Sequence, residues 1–402
     1  MKYSDGTQHS FWRIPGLLST LIAVAAAFGS WSLLLPVVPL AIISSGGSEV
    51  LAGASTGVFM AATVLTQMCT PRALRAFGYT PVMVFAAALL GIPAFGHIFG
   101  LAAVPVLMIS AIRGIGFGAL TVAESALVAE LVPQRSLGKA SGALGFVIGL
   151  AELVCLPGGV YLAEQYGYET VYITAAGIAL LAAAMCFGIP RIKASPVQRV
   201  QAATKVATWK LASIPALSMG MVAVGFGAIS SFLPAAIQQY HPADGALASG
   251  IVLAILGGTQ MVSRFFAGMI ADRFGHSGVT IIPALLVSFF GMGLLVLILQ
   301  YQWSVWAFLA AATLFGLGFG AVQNDALLML FARMPRERLS EASALWNMSF
   351  DSGTGLGSLL LGVVVAHFAF VGAFAGAAMV IAIAVFATVI DRLVMNAVAK
   401  PG

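Results

Sequence analysis

The second half of this chain repeats the first. Gly114-Ile115-Gly116-Phe117-Gly118-Ala119 returns about 202 residues later as Gly316-Leu317-Gly318-Phe319-Gly320-Ala321, and the same offset carries Pro133 onto Pro335 and Ala140-Ser141 onto Ala342-Ser343. Phe28-Gly29 through Leu35-Pro36 recurs as Phe226-Gly227 through Leu233-Pro234, and Thr66-Gln67-Met68 as Thr259-Gln260-Met261. In an apolar chain, two parallel half-copies imply paired helical bundles with a shared site between them at mid-membrane, the architecture of solute carriers.

The chain is apolar enough for that reading. It is 60% hydrophobic and 8% charged, with a mean hydropathy of +1.01, whereas charged residues make up about a quarter of a soluble domain. Apolar spans are predicted near 15–42, 51–71, 80–98, 103–129, 139–162, 168–188, 211–237, 247–271, 278–299, 303–332, 341–366 and 369–391. Open sheets or irregular spans would leave backbone groups unpaired in lipid. The expected fold is an all-α polytopic membrane protein of twelve transmembrane helices in two pseudo-symmetric six-helix bundles, 1–189 and 211–402, joined by a linker at 190–210. That linker, RIKASPVQRVQAATKVATWK, holds five basic residues and no acid.

Lys2, Arg13, Arg72, Arg75, Arg135, Lys139, the linker, Arg273, the 333–338 loop, Arg392 and Lys400 fall on one side of this threading. The opposite loops hold no Lys or Arg, so the positive-inside rule predicts cytoplasmic termini and a plasma-membrane protein. The formal charge of +5 then reports topology and contact with anionic lipid, not nucleic acid. Cys69, Cys155 and Cys186 lie within or beside spans, where free thiols are expected. The first span is too long for a signal-peptide core.

Six ionisable residues fall inside spans: Arg113, Glu124, Glu152, Arg264, Asp325 and Asp351. A charge at that depth costs several kcal/mol unless paired or hydrated, so each is a functional candidate. Arg113 and Glu124 share a helix face about 16 Å apart. Each half carries two acids, on its fourth and fifth helices. Glu152, about 20 Å deep, and Asp351, about 15 Å deep, are the stronger candidates for proton coupling, because apolar surroundings disfavour the charged form of a carboxyl. Asp325 and Glu124 join them as candidates nearer the cytoplasm. Arg264 is expected near the cytoplasmic gate. Gln67, Gln260, Gln323, Asn324 and Asn347 are candidate hydrogen-bonding groups, with Asn347 and Asp351 on one face at i,i+4. Trp31, Phe117, Phe319 and Trp346 are candidates for the apolar wall, although aromatics at helical spacing are more often core or lipid-facing.

Gly268-Met269-Ile270-Ala271-Asp272-Arg273-Phe274-Gly275 resembles the cytoplasmic loop motif of the major facilitator superfamily at its Gly, Asp, Arg and Gly positions. With twelve spans, the half-repeat and Arg113 in the fourth span, nearly the whole chain is similar to that family. The resemblance implies two six-helix bundles around a central cavity, alternating access, and a cavity or coupling role for Arg113. The first-half counterpart, Pro71-Arg72-Ala73-Leu74-Arg75-Ala76-Phe77-Gly78, has Arg75 in place of the motif's Asp. The GxxxGPxxGG signature of antiporters is only loosely approached by Gly145, Gly149, Pro157, Gly158 and Gly159. In the family the loop Asp of one half approaches the fifth helix of the other. Here that implies gate contacts of Asp272 with Lys139 and, with inverted polarity, Arg75 with Glu341, in an outward-open state.

No enzyme constellation emerges. The five histidines lack metal spacing, and glycine runs such as Gly353-Thr354-Gly355-Leu356-Gly357 fall inside spans, so they cannot be nucleotide loops. No metal or cofactor is expected. The expected function is proton-coupled export of a small organic or amphipathic molecule by a monomeric carrier. The alternatives are a metabolite uptake symporter or facilitator and, outside transport, a membrane sensor on the same scaffold.

Overall fold

The computed structural model describes residues 14–132, 137–193, 208–242, 245–274, 277–334 and 339–398; the side chains of Lys139, Asp272 and Glu341, and Gly275 altogether, lie outside that description. Helices run over α1 (Leu17–Ser44), α2 (Glu49–Phe77), α3 (Tyr79–Gly91), α4 (Ala103–Leu131), α5 (Leu137–Tyr166), α6 (Tyr168–Cys186), α7 (Thr208–Tyr240), α8 (Gly245–Phe274), α9 (Ile281–Gln300) and α10 (Ala307–Arg333). A 3-10 turn, Ile92–Phe99, completes the third span. Leu339–Val398 is broken at Phe368 and at Ala369, whose φ is 55°, giving α11 (339–368) and α12 (369–398). A non-glycine residue in that region is strained; here it turns the chain with almost no loop. The expected break between 366 and 369 is therefore present. The described residues form twelve spanning helices in two six-helix bundles.

The repeated glycine motif explains why each bundle packs as it does. A β-carbon on Gly114 or Gly118 would strike the carbonyls of Phe59 or Thr63 in α2, and one on Gly116 that of Ala86 in α3. In the second half, Gly316 and Gly320 lie against Leu256 and Gln260 of α8, and Gly318 against Ala284 of α9. Each motif is thus a wedge with glycine on two faces, letting α4 or α10 approach two neighbours at backbone distance. The Thr63 hydroxyl donates to the Gly114 carbonyl at 3.1 Å, and the Ser263 hydroxyl to that of Gly316 at 3.4 Å.

The bundles meet along α2 with α11, α5 with α8, and α1 with α7. Glycine again sets the spacing. Gly53 and Gly57 of α2 face the Ser358 carbonyl and Leu359 of α11, while Gly362 returns against the Glu49 carbonyl. These contacts close the side away from the chain termini. A buried hydroxyl relay reinforces them: Thr56 to Ser231 at 3.4 Å, Ser231 to Ser358 at 2.8 Å, and Ser358 donating to the Gly227 carbonyl at 3.1 Å. On the terminal side the packing relaxes. No residue from Ser343 to Phe350 in α11 is buried, nor any from Ala143 to Leu150 in α5, while Ala151, Glu152 and Asp351 are. Most of these residues are half-buried, with Leu144 and Val147, and Leu345 and Trp346, packed on the cores of their own bundles, so the other side of each segment opens a cleft toward the terminal side.

Candidate functional site

Two bonds, each made by an equivalent glutamine, cross from one bundle to the other at the floor of this cleft. Gln67 of α2 donates through Nε2 to Asp351 Oδ2 of α11 at 2.6 Å. Gln260 of α8 donates through Nε2 to Glu152 Oε2 of α5 at 3.1 Å. Gln67 and Gln260 are the same residue of the repeated Thr-Gln-Met tripeptide. All four side chains are buried. An amide N–H directed at a carboxyl oxygen satisfies a group that would otherwise be stranded in a low-dielectric interior.

The surroundings differ. Gln67 Nε2 also reaches Thr121 Oγ1 at 3.1 Å, whereas Gln260 Nε2 reaches Gln323 Oε1 at 3.5 Å. Arg264 lies within charge range of Glu152 and rests its guanidinium 5.5 Å over the Trp346 ring. The indole Nε1 of Trp346 donates to the Gln323 carbonyl at 3.0 Å. Trp346 stacks on Phe350, and Phe350 leads to Phe319 and Phe226. The second bundle therefore carries an aromatic ladder that runs from Trp346 and Phe350 at the cleft into the buried Phe319 and Phe226, with an arginine at its terminal end.

Several placements depart from the sequence expectations. Asn347 donates to the Ser343 carbonyl of its own helix at 3.0 Å, so Asp351 takes its partner from the other bundle and not at i,i+4. Asp325 accepts from both the backbone N–H and the hydroxyl of Thr280, each at 2.7 Å. It caps the start of α9 within its own bundle, a helix-terminus role apart from the two crossing bonds. Trp31 and Phe117 are sealed inside the first bundle, stacked at 5.0 Å with Phe28 and Phe59 alongside. Phe319 is likewise buried behind Phe350. Only Trp346 of the four expected wall aromatics is half-exposed at the cleft.

Arg113 lies inside the first bundle. It is 4% exposed, its Nε donates to the Leu90 carbonyl at 3.0 Å, and it covers the Phe59 ring at 5.5 Å. Among the described residues no carboxylate forms an ion pair with it. Glu124 is buried with Oε2 unpartnered. Asn324 leaves Nδ2 buried without a partner, beside Gly268.

The loop-motif residues Gly268 to Phe274 form the last turns of α8 and not a loop, because their spacing continues the helix. Arg273 is exposed there, and Arg75 is exposed in the last turn of α2. The gate contacts with Lys139, Asp272 and Glu341 involve side chains outside the described residues. Sequence reasoning missed Thr121 and Phe350. Thr121 lies one turn from Phe117 on α4, and a polar residue inside a span was the available signal.

Residues 20–332 match the family described as Major Facilitator Superfamily. The multi-drug resistance efflux pump PmrA of Streptococcus pneumoniae is 22% identical over 290 residues, covering 68% of this chain and 70% of that protein. Among solved structures, a bacterial homolog of the human lysosomal transporter Spinster, inward-facing and unoccupied, superposes with a TM-score of 0.72 at 15% identity, covering 96% of each chain. The nucleoside transporter NupG superposes with a TM-score of 0.71 at 12% identity, covering 92% of this chain and 98% of its own.

Proposed function

Because this chain belongs to the Major Facilitator Superfamily and is a membrane transporter, we propose that it exports a small organic or amphipathic molecule in exchange for protons. The observation that carries the reading is the pair of glutamine–carboxyl bonds spanning the bundles, Gln67 with Asp351 and Gln260 with Glu152. A hydrogen bond to an ionised carboxylate is roughly twice as strong as one between neutral groups. Gaining a proton therefore weakens each bond and frees the bundles to rock; losing it restores the hold. The ladder of Trp346 and Phe350 beneath Arg264 supports an amphipathic substrate, and the likeness to PmrA supports export.

The same reading places the protein in the plasma membrane as a monomer with both termini cytoplasmic, its bundles at 1–189 and 211–402 joined by the basic linker 190–210. Arg113 and Glu124 serve the interior of the first bundle. Asp272 with Lys139, and Arg75 with Glu341, close the cytoplasmic side in the outward-open state, with Gly268, Gly275 and Arg273 shaping that turn.

The test is proton movement driven by solute in proteoliposomes, across drugs, nucleosides, sugars and organic acids. Coupled movement with an amphipathic compound, lost in the Glu152→Gln, Asp351→Asn double variant while solute exchange persists, supports the proposal. Gradient-driven transport retained in that variant sinks it. The second reading, metabolite uptake, draws on the structural likeness to NupG; nucleoside and proton moving in the same direction would favour it.

A further inference from the structure

A second concave surface lies on the flank of the first bundle. Thr66, Cys69, Thr70 and Phe77 follow one another at helical spacing along one face of α2, whereas Gly53, Gly57 and Gln67, which meet the second bundle, lie on another. Together with Leu89 of α3 and Ile115 of α4, the first four line a groove of about 460 Å³ between the three helices. Its lining is apolar. The hydroxyls of Thr66 and Thr70 donate to the Ala62 and Thr66 carbonyls of their own helix, each at 2.8 Å, which engages both donors inside α2. Cys69, Phe77 and Ile115 are exposed along the groove, and on the flank of a spanning bundle they meet hydrocarbon and not water.

The length of the groove fits one kind of occupant. Along α2 it runs from Phe77, the last residue of the helix, to Thr66, a rise of about 16 Å. Thr66, Leu89 and Ile115 sit near the middle of their spans. One leaflet's share of a hydrocarbon core is about 15 Å, so the groove has the reach of a single lipid tail, with the headgroup end at Phe77. That end is basic. Residues 190–193 cross the junction of α2 and α3, where the Ile192 carbonyl accepts from the Tyr79 N–H at 3.0 Å. The Lys193 ammonium donates to the Ala76 carbonyl at 2.9 Å, one residue before Phe77. An ammonium carries three N–H donors, so that bond does not preclude a phosphate. Arg72, Arg75 and Arg191 are exposed around the same junction; one acid, Glu130, lies within charge range of Tyr79 and leaves the junction positive.

We propose that this groove holds one acyl chain of an anionic phospholipid from the terminal-side leaflet, with the lipid phosphate on the ammonium of Lys193. Apolar lining alone would take any lipid tail; the basic end selects a negative headgroup. Bound there, the lipid joins α2 and α3 to the start of the linker. The site is separate from the cleft between the bundles and does not depend on the direction of transport.

Cys69 lines the groove and is exposed, so its alkylation by N-ethylmaleimide reports occupancy. The purified, delipidated protein in a neutral detergent would be titrated with phosphatidylglycerol or, at equal mole fraction, with zwitterionic phosphatidylcholine, and the modified Cys69 peptide quantified by mass spectrometry. Phosphatidylglycerol should slow the reaction saturably, by about 10-fold once the lipid exceeds its Kd about tenfold, and phosphatidylcholine should slow it far less. Lys193→Gln should bring the two lipids level, and Lys193→Arg should keep the difference. Equal protection by both lipids in the native protein would mean an unselective apolar flank, and protection by neither would mean that no lipid settles there. Full protection by phosphatidylglycerol in Lys193→Gln would mean a general effect of surface charge, and protection that rises with protein concentration in the absence of lipid would assign the groove to a second copy of the chain; each of these overturns the proposal.

Discussion

Gln67 and Gln260 hold equivalent places in the two halves, yet the carboxyls they reach are in different company. Asp351 shares its amide with the Thr121 hydroxyl, a neutral group. Glu152 has Gln323 and the charge of Arg264 nearby. The acids themselves are not strict equivalents: the offset of 202 carries Glu152 onto Thr354, one helical turn beyond Asp351. Pseudo-symmetry has kept the amide and let the acid move. A proton lost from Asp351 leaves a charge among neutral groups, while one lost from Glu152 leaves a charge within the field of a guanidinium. The two crossings should therefore contribute unequally to coupling.

The largest expected effect tests that inequality. Asp351→Asn should lower uphill accumulation at least about 10-fold, the scale of 1.4 kcal/mol, while Glu152→Gln should lower it less, measured as pH-gradient-driven uptake into inverted vesicles. Equal losses would break the comparison. A second experiment sharpens it: Arg264→Gln should slow transport about 3-fold alone and add nothing in the Glu152→Gln background, because the effects of interacting groups are not additive. Additive losses would place Arg264 in some other role.

The wedges offer a contrast where the halves should agree. Gly118→Leu and Gly320→Leu both force a side chain against a backbone carbonyl, and each should cost about 1–3 kcal/mol with matching falls in melting temperature. A large drop in one alone would show that the repeat is sequence without shared packing. The smallest effect belongs to Asp325→Asn. It weakens the cap on Thr280 by about 1 kcal/mol and should leave proton coupling intact; loss of coupling with full stability would return Asp325 to the transport path.

Twelve helices and two bundles were legible because span length and the repeat are local properties. The acids Glu152 and Asp351 were legible as buried charges in apolar runs. Their partners were not. Gln67 meets Asp351 across the boundary between halves, a pairing no periodicity encodes, and the i,i+4 expectation for Asn347 failed because its amide bonds back to its own helix at Ser343. Asp325 reads as a mid-span acid, and its cap appears only when α9 starts beside α10. Trp31 and Phe117 read as wall, but in a bundle this dense an aromatic at helical spacing is more simply filler. The repeated tripeptide at Gln67 and Gln260 was the signal to follow further: a polar residue kept in the same apolar place twice.

The central claim is that protonation of the two carboxyls releases the bundles from the arrangement described here. Spin labels at Arg72→Cys in α2 and Ala344→Cys in α11, both exposed on the terminal side, would report it by double electron–electron resonance once Cys69, Cys155 and Cys186 are replaced by serine. Lowering the pH from about 8 to about 5.5, where carboxyls in apolar surroundings can gain protons, should add a shorter-distance population as the terminal side closes. The Glu152→Gln, Asp351→Asn double variant should show that population at both pH values. A pH response in the double variant equal to that of the native carboxyls would contradict the account.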